Sequence, residues 1–261
     1  MAKHSYPTVI DQAEIKILEK RIISYREVMS GLPEEEVRSL MNFLDITWCY
    51  HEFAIEGIVL NHLEIKSALD DRIISDSSLI PHYDDVKCFY EGVKRLRVEA
   101  QKKRLSLSVN SIKELHTLIS EPGSSKQNNY RKEIPLHRQY AHDFSPPEKI
   151  PYRMRKLGEF LQSQSFRKMP PLLKAASAHN KIMAIFPWSK KSGTLARLVM
   201  NLILLHSEYP VALIPDVERQ TYYDNIQVDL THDSDIRMVN FLNESICLFL
   251  NAIAKRLNMN I

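Results

Sequence analysis

The sequence predicts an all-α fold, and three observations carry that prediction. Apolar residues recur at helical spacing along almost the whole chain. Glycine is scarce, 6 in 261 residues, about a third of its usual ~7% share. Turn-rich sandwiches and glycine-rich phosphate loops are both disfavoured by that shortage. The stretch from Pro170 to Leu205, finally, is apolar nearly all round, which suits helices at the centre of a protein.

Ile15, Leu18, Ile22 and Val28/Met29 mark a first helix, ended by Gly31-Leu32-Pro33. Pro33 followed by Glu34, Glu35 and Glu36 opens a second, with acids at the positive end of the helix dipole. Its apolar face runs through Val37, Leu40, Met41, Leu44 and Trp48. Asn61 reads as the N-cap of a short helix bearing Leu63, Ile65 and Leu69. A helix over about Tyr83–Arg104 and another over Ser108–Ile119 follow. Residues 121–151 are polar, proline-bearing and aperiodic, with Tyr130–Leu136 as a short strand or hairpin arm. Helices resume near Tyr152, and Val239, Leu242, Ile246, Phe249/Leu250, Ile253 and Leu257 define the last.

Composition narrows the function classes. Lys+Arg total 35 against 32 Asp+Glu, a net charge of only +3, so no nucleic-acid partner is expected. No run of ~18 apolar residues is present, so no membrane partner is expected either. Cys49, Cys88 and Cys247 lie far apart among apolar neighbours, which suits buried thiols in a reducing compartment. The start of the chain has no apolar secretory core, and a cytoplasmic location is expected.

The segment from Ala175 to Asn201 carries His179 and then Phe186-Pro187-Trp188-Ser189-Lys190-Lys191-Ser192-Gly193-Thr194-Leu195-Ala196-Arg197-Leu198. It resembles the core of the Fic/Doc (Fido) family, whose pattern reads A-x-x-H-x-x-F-x-x-I-H-P-F-x-D/E-G-N-G-R-x-x-R-L. Ile55-Glu56-Gly57 resembles the family's inhibitory-helix motif, with Glu52 where the family has Ser or Thr. Asn129-Tyr130-Arg131-Lys132 and Phe144-Ser145-Pro146-Pro147 resemble its flap region and exit, and the likeness extends in order over about residues 50–245. It implies a Fic-type helical bundle with a small β-hairpin flap. The implied divisions are an N-terminal helical region (1–104), a Fic-like core (105–226) and a C-terminal helical extension (227–261). The family activity it implies is transfer of AMP, or a related phosphate-containing group, to a protein hydroxyl.

The motif departs from that activity in chemistry. The family's general-base histidine is matched by Phe186, which has no proton to exchange, and loss of a positioned base typically costs ~10²–10⁴ in rate. Lys190 stands where an Asp or Glu holds Mg²⁺, and a cation repels a hard divalent ion. Lys191 and Ser192 replace Gly-Asn, Gly193 is kept, Thr194 replaces the first arginine, and Arg197 keeps the second. No catalytic residue is therefore assigned. His179 is expected to be a core histidine.

An anion site remains expected. Ser192-Gly193-Thr194 opens a helix whose first N–H groups favour a negative charge, with Lys190, Lys191 and Arg197 beside it. ATP or another nucleotide is the cofactor the resemblance implies. It also implies an ion pair from Glu56 to Arg197 that denies phosphate its partner. Tyr130, Arg131 and Lys132 are expected to dock a target protein by strand addition, while Tyr222 and Tyr223 either flank an adenine or pack. The leading expectation is a degenerate Fic protein acting as a binding or regulatory module. The rivals are an active transferase with a displaced base and metal-independent phosphate binding, and a structural homodimer joined through the apolar last helix.

Overall fold

The computed structural model describes residues 12–70, 82–120, 129–135 and 142–259. Among the described residues it holds eleven α-helices and no strand. α1 (Gln12–Gly31) buries only Leu18 and Ile22, and lies on α11 (Ile236–Leu257). α2 (Glu34–Ile55) begins one residue after Pro33, which is its N-cap. α3 (His62–Leu69) starts on a capping box: Asn61 accepts from the Glu64 N–H, and Glu64 reaches back to the Asn61 N–H.

α4 (Tyr83–Ala100) ends four residues short of the expected Arg104, and α5 (Val109–Leu118) follows on a second capping box, Ser108 with Ser111. Gly92 lets α4 approach closely. A Cβ there would stand 2.7 Å from the Ile119 side chain. A single 3₁₀ turn, Pro147–Lys149, leads into α6 (Ile150–Gln162), two residues earlier than the spacing predicts. α7 (Gln164–Lys168) is a brief link.

The expected centre is where the apolar density placed it. α8 (Pro171–Ile185) and α9 (Ser192–His206) pack on each other more than any other pair, and α4, α5, α6, α10 (Arg219–Thr231) and α11 close around them. One core cluster runs from Leu18 to Ile253 and includes residues from all three sequence segments. α11 spans 22 residues and contains an 18-residue window of mean hydropathy 1.2, long and apolar enough to cross a membrane by composition. Its buried residues are instead engaged against α1, α8 and α10. The three thiols are unbridged; Cys49 is buried, whereas Cys88 and Cys247 are only half-buried. The expected hairpin arm falls partly outside the described residues. Its described part, 130–135, forms no strand.

Candidate functional site

A helix of L-residues leaves its last four carbonyls without partners. At the end of α8 those groups are taken by the segment that precedes α6. His142 Nε2 donates to Met183 O at 3.1 Å, and Ser145 gives both its N–H (3.1 Å) and its hydroxyl (3.0 Å) to Ala184 O. Arg131 completes the set. Its Nε donates to Phe186 O at 2.6 Å, Nη2 to Ile185 O at 3.3 Å and to Ser145 O, and Nη1 to Glu133 O. A guanidinium at the negative end of a helix also meets the dipole with the right sign. Arg131 was expected on an exposed flap edge. It is 5% exposed, fully engaged by backbone oxygen, and unable to touch a partner in this conformation.

Phe186 ends α8 in the left-handed region, φ 46°. Its ring is buried and stacks on Phe144 at 4.3 Å. A side chain meant to take a proton from an incoming hydroxyl would face an opening, and this one faces the core. The loop then turns through Trp188, which stacks on His116 at 4.1 Å, and reaches Lys191, a second left-handed residue at φ 64°. Ser192 does not cap its own helix. Its Oγ accepts from Trp188 N–H and donates to Trp188 O, closing the loop on itself.

His116 donates from Nε2 to Lys190 O at 3.2 Å, which fixes a neutral tautomer. Burial pulls its pKa down to about 4, against a smaller opposing effect of that hydrogen bond. Because the folded value lies below the unfolded one, the unfolded chain binds the proton first, and stability falls as pH drops from about 6.5 toward 4. The urea midpoint is expected to decrease across that window, by the equivalent of about 1–3 kcal/mol for His116 alone. In His116→Asn the decrease should shrink measurably. An unchanged pH slope would rule out the neutral buried imidazole.

The anion-favouring start of α9 is closed by charge from within the fold. Lys191 Nζ lies 2.6 Å from Asp85 Oδ1 and 5.5 Å from the centre of the Phe53 ring. Burial alone would raise the Asp85 pKa, but the Lys191 ammonium and His82 together hold it below its ordinary value. Lys191, expected to contact an anion, is thus already half-buried against a carboxylate. Lys190 is exposed on the loop's surface, and Ser192, Gly193, Thr194 and Arg197 are buried.

Arg197 is the most enclosed charge of the group, 2% exposed. Glu56 pairs with its Nη2, so the predicted contact from α2 is present. Gly57 makes that placement possible. At φ 86° it lets the chain close α2 with Gly57 N–H on Ala54 O and Ile58 N–H on Phe53 O, leaving Glu56 as the C-cap. Arg219 Nε and Tyr223 OH both donate to Ile55 O at 2.7 Å, which ties the same end to α10. The Tyr223 ring is therefore packing.

Sequence reasoning missed the stronger partner. Glu52, one helical turn before Glu56, accepts from Arg197 Nε at 3.0 Å on both oxygens and from Nη2 at 2.6 Å. Glu52 is 5% exposed and Glu56 27%, so the buried carboxylate is the one that reads as a motif defect. The i, i+4 spacing was the available signal: two acids four residues apart share one helix face. Asp85, the partner of Lys191, was not singled out by the sequence because the two lie far apart in the chain.

Behind Arg197 the polar groups continue inward. Arg197 Nη1 donates to Tyr222 OH (3.3 Å), and Tyr222 OH donates to His179 Nε2 (2.7 Å). His179 Nδ1 donates to Asn180 Oδ1 at 3.0 Å, leaving the Asn180 amide for Asp229 and Asp235. Burial lowers the His179 pKa to about 3, so the ring is neutral, as that pattern of donors requires. His179 and Tyr222 are both completely buried core groups.

The space left between Glu52, Phe53, Glu56, Phe89, Lys191 and Thr194 is about 20 Å³, room for about one water. No cluster of three or more His, Cys, Asp or Glu with metal-binding geometry occurs among the described residues. The residues present do not suit Mg²⁺: the nearby carboxylates already face Arg197 and Lys191, and Lys190 adds positive charge.

The all-helical bundle, with its central α8–α9 pair and the glutamate that α2 brings to the start of α9, matches the Fic helical fold. Residues 106–204 match the model of the Fic/DOC family. A Fic-domain signalling protein from Bacteroides thetaiotaomicron superposes with TM-score 0.78 at 22% identity, over 95% of this chain and 99% of that one. Fic-1 from C. elegans gives 0.75 at 21%, over 94% and 73%. Among curated proteins, protein adenylyltransferase fic-1 of Caenorhabditis briggsae is 26% identical over 195 residues, 74% of this chain and 38% of that protein. Protein adenylyltransferase Fic of Drosophila erecta is 24% identical over 238 residues, 87% and 45%. The chain therefore spans less than half the length of these curated relatives.

Proposed function

We propose that the chain is a Fic-fold binding module whose group-transfer centre is silent. One observation carries the reading: among the described residues, the cavity between Glu52, Glu56, Lys191 and Thr194 beside the α9 N-terminus, where the resemblance puts a nucleotide's phosphates, is about 20 Å³ and walled by paired charges. Three further features support it. The position of the general base is an apolar ring stacked on Phe144, the metal-ligand position is Lys190, and the one retained arginine is held by two carboxylates. In this reading Tyr130 and Lys132 of the flap region help to take a protein partner.

The test is incubation with a panel of labelled nucleoside triphosphates, with and without Mg²⁺, followed by mass spectrometry of the chain and of added proteins. No transfer is expected. The relatives named protein adenylyltransferase favour the rival reading, transfer by a displaced base. Label appearing on protein and vanishing in Lys190→Ala would establish that rival.

Phe186→His is expected to gain nothing in the same assay. The new imidazole would stack on Phe144 inside the core, and the other replaced groups act as a unit with the base. Efficient transfer by this single variant would show that the site still admits nucleotide and that the other replacements matter little.

A further inference from the structure

A whole-chain charge of +3 conceals a strong local asymmetry. After Glu159 the next acidic residue in the sequence is Glu208, and α7, α8 and α9 lie entirely in between. α6 buries Ile150, Met154, Leu157 and Leu161, so its opposite face turns Arg153, Arg155 and Lys156 to solvent, with Lys149 exposed just before it. α7 adds exposed Arg167 and Lys168.

Aromatic packing sets these helices side by side, so the cations belong to one surface. Phe160 of α6 meets Phe166 of α7 edge-to-face at 5.1 Å. From α8, Lys181 Nζ covers the Phe160 ring at 4.7 Å and Lys174 Nζ the Phe166 ring at 5.9 Å. Of the acids here, Glu159 is bonded to Lys156 at 2.8 Å with Arg155 at 3.8 Å, while Glu133 and Glu148 border the neighbouring groove.

The basic face adjoins an open groove of about 770 Å³ whose lining includes Tyr130, Lys132, Glu133, Ile134, Glu148 and Pro151. Pro151 belongs both to the groove and to the first turn of α6, so the two features are continuous. Ile134 is 59% exposed at the groove.

We infer that this composite surface binds an acidic segment of a partner protein. An apolar side chain of that segment sits in the groove beside Ile134, and its carboxylates lie along α6 and α7. The inference rests on the binding-module reading and names the chemistry of the partner. A recessed groove beside the cations suits a peptide, whereas a lipid surface engages exposed charge and leaves a groove unfilled. A single-stranded nucleic acid needs bare rings for its bases. Here a cation already occupies one face of each ring, Lys113 at 4.7 Å over Tyr130 and Arg155 at 5.2 Å over the half-exposed Tyr152.

The test uses a fluorescein-labelled peptide of alternating Asp and Glu with one central Leu, read by fluorescence anisotropy in about 50 mM salt, where surface charges are weakly screened. Binding is expected to weaken at least about tenfold in R155E/K156E/R167E/K168E, from the sum of several exposed pairs. It should weaken several-fold in I134E, and with the peptide's Leu changed to Ser. K16E/K20E on exposed positions of α1 should leave it unchanged. Far-UV circular dichroism checks folding, and R155E/K156E alone replaces the quadruple variant if that fails to fold. No binding by the wild type, or equal binding by the reversal variant and wild type, overturns the inference. So does tighter binding to phosphatidylserine vesicles or to duplex DNA than to the peptide. None of these variants touches the residues read by the nucleotide assay, so either reading can fail while the other stands.

Discussion

Arg197→Ala is expected to lower the thermal unfolding midpoint by about 6–20 °C. Removing one partner of a buried ion pair strands the other charge, at about 3–5 kcal/mol, and each kcal/mol moves the midpoint of a chain this size by about 2–4 °C. The stranded group is Glu52, 5% exposed and bonded to Arg197 through both oxygens. Glu56, at 27% exposure, can turn to water and should matter less: Glu56→Gln is expected to cost about 1 kcal/mol, an ordinary hydrogen-bond loss. The double variant Glu52→Gln/Arg197→Met should recover much of the deficit, because it removes both charges at once. Scanning calorimetry of the four proteins decides. If Arg197→Ala melts within about 2 °C of wild type, the Glu52 carboxylate is not desolvated as the geometry requires.

The second large effect is expected at Arg131. Arg131→Ala leaves the carbonyls of Ile185 and Phe186 without this donor inside the fold, at about 1–3 kcal/mol for each group left unsatisfied. A total loss of about 3 kcal/mol or more in the urea unfolding free energy is expected. Arg131→Lys should do almost as badly, because a single ammonium cannot reach Phe186 O, Ile185 O and Glu133 O together. Hydrogen exchange localises the effect, with faster exchange expected at the last turn of α8 and the loop to Lys191. A lysine variant as stable as wild type would show that the charge alone matters and the fork does not.

Much of the fold was legible because its signals are local. Helical spacing, the proline-led start at Pro33 and the Asn61 cap each depend on neighbouring residues, and the apolar stretch after Pro170 marked the centre without any tertiary information. The boundaries that moved, Ala100 for Arg104 and Ile150 for Tyr152, lie at helix ends where periodicity fades. The candidate site was legible only where a resemblance supplied a distant pairing, as for Glu56 and Arg197. Arg131 reads as a surface charge in sequence because nothing local reveals that four helix-end carbonyls need donors. Glu52 reads as a defect because its partner lies on a helix far along the chain. Net charge misled in the opposite sense: an average over 261 residues erased the surplus that α6, α7 and α8 gather on one side.

The double clamp on Arg197 has an arithmetic consequence for any anion that enters. Admission requires Glu52 and Glu56 to release the guanidinium, and at about 3–5 kcal/mol the released state is populated at about one part in 10² to 10⁴. Apparent affinity falls by that same fraction. A nucleotide with an intrinsic dissociation constant of about 1 μM would register at about 0.1–10 mM. The second carboxylate, set one turn behind the first, thus raises the cost that any entering anion would have to meet before it could reach the guanidinium.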